Sequence, residues 1–115
     1  MPHAAGLWYE WHGPDDGEVL ILSPGLGGSG SYWAPNLDTL SAYYRVLVYD
    51  HGGTGRSGPA PEMVTIEGMA EDVFALMLEL RIERPHFIGH ALGGLIGLEL
   101  EARHCALARL VIVNG

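Results

Sequence analysis

The sequence predicts an α/β fold with a mainly parallel sheet and flanking helices. Short, continuously apolar runs such as Glu18 to Ser23 (EVLILS) and Arg45 to Asp50 (RVLVYD) have the pattern of strands covered on both faces. Segments with helical periodicity stand between such runs, and glycine-rich loops follow them. Strands that alternate with helices imply crossover connections, which set the strands parallel.

In chain order, Leu7 to His12 (LWYEWH) reads as a short strand. The next five residues, Gly13-Pro14-Asp15-Asp16-Gly17, favour a turn because Pro presets φ and Gly admits positive φ. The strand Glu18 to Ser23 leads through a Gly/Ser loop to a helix over Pro35 to Tyr44, whose proline fits the first turn, where no N–H is needed. After Arg45 to Asp50 and the loop HGGTGRSGPAP, Thr65 is a plausible N-cap for a helix over Ile66 to Leu80. That helix aligns Ile66, Met69, Ala70, Val73, Phe74, Met77 and Leu80 on one stripe. Pro85 separates it from a strand, His86 to Gly89, followed by a helix from Leu92 to His104 and a last strand, Arg109 to Asn114 (RLVIVN).

At 115 residues the chain is one domain or part of a larger one. No apolar run approaches the roughly 20 residues of a membrane helix. The start MPHAAGLWYEWHG lacks a basic segment followed by an apolar one, so a cytoplasmic location is expected. The formal charge of −8 opposes binding to phosphate backbones and anionic membranes, so neither nucleic acid nor membrane is an expected partner. All six basic residues are arginines, which excludes Schiff-base chemistry and a P-loop lysine on this chain. The single Cys105 reads as a structural thiol, and the histidines show no metal-ligand spacing, so neither metal nor cofactor is expected.

Two glycine motifs bear on function. Gly25-Leu26-Gly27-Gly28-Ser29-Gly30 fits G-x-G-x-x-G, with Asp50 twenty residues on, as in a dinucleotide-binding unit. Against that, Pro35 falls where the nucleotide-binding helix would need a backbone N–H, and Asp50 runs into another glycine loop. The alternative is a loop that offers the Leu26 N–H to a developing oxyanion, with the Leu92 N–H as its partner donor. Leu92 lies in Ile88-Gly89-His90-Ala91-Leu92-Gly93-Gly94, which has the G-x-S-x-G frame of a nucleophile elbow with alanine at the centre. A close-packed strand-to-helix junction without chemistry would need the same glycines.

Together these segments resemble the N-terminal part of the α/β-hydrolase fold superfamily, with YDHGGTGRSGP similar to its Y-D-x-R-G-x-G-x-S-x-x-P loop. GLGGSGSYW, GHALGGLIG and VIVNG are similar to a branch of that superfamily that itself carries alanine at the elbow. The resemblance implies hydrolysis of a small product of uracil ring opening, carbamate or aminoacrylate, without a serine nucleophile. It departs at Gly52, where the superfamily loop usually has arginine. It also implies that the catalytic acid, the histidine, the lid and the C-terminal strands come after Gly115, making residues 1–115 a single partial domain.

The expected site therefore comprises Ala91 at the elbow, the N–H groups of Leu26 and Leu92, and pocket residues Gly25, Gly27, Trp33 and His90. His90 is expected as a packed wall rather than a base, and Asp50 as a cap of the second glycine loop. Ser29 and Ser31 are expected to make loop hydrogen bonds, and Trp33 fits core packing as well as a pocket. A non-catalytic, ligand-binding relative is the competing functional class. The apolar last strand is expected to form a sheet edge that recruits a second copy.

Overall fold

A computed structural model describes residues 3–25, 33–51 and 65–113. They form a six-stranded sheet with three helices. The strands are β1 (His3–Ala4), β2 (Leu7–His12), β3 (Val19–Ser23), β4 (Arg45–Tyr49), β5 (His86–His90) and β6 (Arg109–Val113). The helices are α1 (Ala34–Ser41), α2 (Ile66–Glu79) and α3 (Leu92–His104). The sheet order is β1-β2-β4-β3-β5-β6, and β4, β3, β5 and β6 run parallel. The antiparallel edge formed by β2 and the short β1, a pair the sequence does not reveal, completes a mainly parallel sheet.

Alternation along the central strands sorts their side chains into two cores. Ile21, Leu47, Tyr49 and Phe87 face α2 and α3, where Ala70, Val73, Leu76, Met77, Ile96 and Leu100 cover them. Leu20, Leu22, Val46 and Val48 face the other way and pack with Trp8, Trp33 and the α1 residues Leu37 and Leu40. The α2 stripe departs from expectation at Leu76, which is fully buried, whereas Ile66, Met69, Phe74 and Leu80 are only half-buried. Packing against both the sheet and α3 widens the covered face. Glu71 ties α2 to α3, accepting hydrogen bonds from Arg103 Nε at 2.9 Å and His104 Nε2 at 2.7 Å.

The element ends depart in small ways from the sequence expectation. Thr65 caps α2 as expected, its hydroxyl accepting from the Gly68 N–H at 2.9 Å. Helix α1 stops at Ser41 rather than Tyr44, because Tyr43 and Tyr44 both donate to the Leu40 carbonyl and turn the chain into β4. Strand β5 runs one residue further than expected, since His90 still pairs with Val113 of β6. Strand β6 is the edge of the sheet among the described residues, with Val111, Ile112 and Val113 exposed. No helix among the described residues is long and apolar enough to cross a membrane.

Candidate active site

The carboxyl ends of β3, β4 and β5 and the first turn of α3 meet at one place. The β5–α3 junction turns through Ala91, which holds φ 51° and ψ −110° and is exposed. For a non-glycine residue such a backbone costs about 1–3 kcal/mol. Flanking contacts keep it there. The Ala91 N–H donates to the Val113 carbonyl of β6 at 2.8 Å, and the Ala91 carbonyl accepts from the Gly94 N–H at 2.9 Å to start the helix.

The glycines of the frame are required by close approach. A Cβ on Gly89 would stand 2.3 Å from the Gly93 carbonyl, and one on Gly93 would stand 2.3 Å from the Ser23 carbonyl of β3. Strand end, helix start and the neighbouring strand thus touch through backbone. Leu92 is the first residue of α3, so its N–H falls outside the intrahelical ladder, at the positive end of the helix dipole. This is the position the sequence assigns to one oxyanion donor.

Gly25, the first residue of the first glycine motif, lies at the same place. A Cβ there would lie 3.1 Å from His90 Nδ1 and 3.5 Å from the His90 carbonyl, so the loop starts directly against the residue before Ala91. His90 is half-buried and forms that wall. Trp33 is 7% exposed and packs in the α1-side core. Leu26, Gly27, Ser29 and Ser31 lie outside the described residues, as does Gly52. Asp50 is fully buried and donates its N–H to the Trp8 carbonyl, while the loop it is expected to cap again lies outside. Among the described residues no group of three His, Cys, Asp or Glu is placed to hold a metal ion.

Two features escape sequence inspection. Ser23 and Tyr49, at the ends of the adjacent strands β3 and β4, are both fully buried and share a hydrogen bond of 2.5 Å between hydroxyls. Burial pushes the Tyr49 phenol far above its ordinary range, against the opposing effect of the Ser23 bond. The signal was present as one hydroxyl in each of two apolar runs, since buried hydroxyls need partners. The second feature is His51, 3% exposed, whose Nε2–H donates to the Pro24 carbonyl at 2.8 Å.

Burial lowers the His51 pKa, while the Pro24 carbonyl and the Asp50 charge act in the opposite sense. A histidine lowered in the folded state binds its proton more readily when unfolded. Its contribution is therefore intact above the unfolded value of about 6.5 and is lost as pH falls towards the folded value, by up to about 1.4 kcal/mol per pH unit. Urea denaturation between pH 7.5 and 5 should show this loss in the parent and a shallower one in His51→Gln. Identical pH slopes would count against a neutral, buried His51.

The α/β hydrolase fold family matches residues 18–115. A protein of Rhizobium rhizogenes named "putative carbamate hydrolase RutD" is 47% identical over 113 residues, which cover 95% of this chain and 43% of that protein. One of the same name from Pseudomonas syringae is 54% identical over 114 residues, 95% of this chain and 44% of that protein. The chain therefore spans less than half the length of these curated relatives. Among solved structures, a hydrolase from Pseudomonas aeruginosa superposes with a TM-score of 0.89 at 34% identity, covering 92% of this chain and 40% of that one. The enol-lactonase of Burkholderia xenovorans gives 0.86 at 39% identity, covering 90% and 41%. With the family matched from the start of β3 to the last residue, and the strand-to-helix elbow in its frame, the chain belongs to the α/β hydrolase fold family.

Proposed function

We propose that the protein carrying this chain hydrolyses a small C–N substrate, carbamate or aminoacrylate, as one step of pyrimidine breakdown, without a covalent serine intermediate. The observation that carries this reading is an alanine held in the strained elbow at the start of α3, with Gly25 against its neighbour His90. The names of the curated relatives support the substrate class. The methyl group of Ala91 leaves room for about one water, and the Leu26 and Leu92 N–H groups would polarise the substrate carbonyl. Proton transfer to and from that water falls to groups in the part of the protein that the relatives possess beyond this match. A soluble, cytoplasmic setting is part of the same proposal.

The test compares carbamate breakdown with and without the full-length protein. The full-length protein should outrun spontaneous decay, and residues 1–115 alone should show little or no turnover. Equal rates with and without full-length protein would sink the enzymatic reading. The missing nucleophile also favours a second reading, a relative that binds a small ligand without chemistry. Ala91→Ser in the full-length protein separates the two. Labelling by a serine-directed phosphonate means that the surrounding machinery is intact, and an inert variant favours binding alone.

A further inference from the structure

Pro24 and Gly25 leave the end of β3 between two histidines, His90 at the end of β5 and His51 just after the end of β4. From the β4 side, His51 Nε2–H donates to the Pro24 carbonyl at 2.8 Å, and its ring stands edge-on to Tyr49 with centroids 5.3 Å apart. From the β5 side, the His90 ring and carbonyl lie so close to Gly25 that an added Cβ would be 3.1 Å and 3.5 Å from them. The Pro24 carbonyl and the Gly25 N–H belong to one planar peptide unit and point in opposite directions. A bond that fixes the carbonyl therefore fixes the direction of that N–H. Proline contributes no N–H of its own, so the carbonyl is the polar handle available at Pro24.

We infer that His51 is a positioning residue at the start of the first glycine loop: it holds the Pro24–Gly25 peptide plane against His90, the residue before Ala91. This rests on the proposed hydrolase reading for its catalytic consequence, but not for the geometry itself. Groups fixed before reaction stabilise developing charge without reorganising, so loosening them lowers kcat more than it raises KM.

The experiment uses the full-length protein with three substitutions. His51→Gln can place an amide N–H near the Nε2 position, His51→Met fills similar volume without a donor, and the amide of His51→Asn stops short. Two quantities are measured: the hydrogen-exchange rate of the Gly25 amide, and kcat and KM for carbamate. His51→Met should speed exchange at Gly25 by about tenfold or more and lower kcat by about tenfold, with KM within about twofold. His51→Gln should return both close to the parent. Parent-like exchange or parent-like kcat in His51→Met would overturn the proposal, and so would a His51→Gln as impaired as His51→Met. If His51→Met does not fold, His51→Asn takes its place against His51→Gln under the same criteria. A parent no faster than spontaneous decay refutes the hydrolase reading, while the Gly25 exchange still decides whether His51 holds the peptide.

Discussion

Gly89→Ala should destabilise the fold by about 3 kcal/mol or more, a large part of the 5–15 kcal/mol typical of a domain. The new Cβ would stand 2.3 Å from both the carbonyl carbon and oxygen of Gly93 and 2.4 Å from the Gly94 nitrogen. Carbon contacts are comfortable at about 3.5–4.0 Å, and these three neighbours are main-chain atoms that no rotamer change can move aside. The first turn of α3 would have to lift away from β5, opening the elbow and moving Leu92 with it. Gly6→Ala is the matched control: nothing lies within 4 Å of its Cβ, so only the positive φ of 80° opposes it. That strain costs about 1 kcal/mol. Urea denaturation midpoints should place Gly89→Ala well below Gly6→Ala. The reverse order would mean that the junction is not packed backbone to backbone.

Phe87→Ala should cost about 3–5 kcal/mol. Phe87 is fully buried in β5, opposite Ile21 of β3 and Leu110 of β6. Its ring also presses on α3 at Gly97, where an added Cβ would be 2.9 Å from Cε1. Truncation therefore opens a cavity beneath α3, bordered by a helix and a sheet that cannot both collapse into it. Leu78→Ala, on the solvent side of α2 with Leu78 64% exposed, should change stability by no more than about 0.5 kcal/mol. Equal unfolding free energies for the two variants would refute the assignment of β5 to the centre of the core.

Much of the fold was legible because its signals are local. The runs VLILS and RVLVY are strands because their apolar residues need cover on both faces, and Thr65 announces α2 through a hydroxyl within reach of its own first turn. The limits of α3 follow from the glycine frame at one end and His104 at the other, and the structure places them at Leu92 and His104. The glycine frame also marked the elbow, since a tight strand-to-helix turn excludes Cβ atoms whatever the rest of the fold does.

Legibility ends where contacts span the chain. His51 and Pro24 are 27 residues apart, and so close a bond between them depends on β4 lying beside β3. Ser23 and Tyr49 pair for the same reason. The short β1 carries too few residues to show a period, so its pairing with β2 had no sequence signal.

Read alone, the sequence determined the alternation of strands and helices, the glycines at the elbow and the absence of a nucleophile there. These follow from side-chain period, backbone sterics and residue chemistry, which act over a few positions. Only the tertiary structure decided the strand order β4-β3-β5. That order puts His51 and His90 on either side of Pro24 and Gly25, because each strand end delivers its residues to the same rim of the sheet. No local propensity encodes which strands become neighbours; burial of two separate cores does.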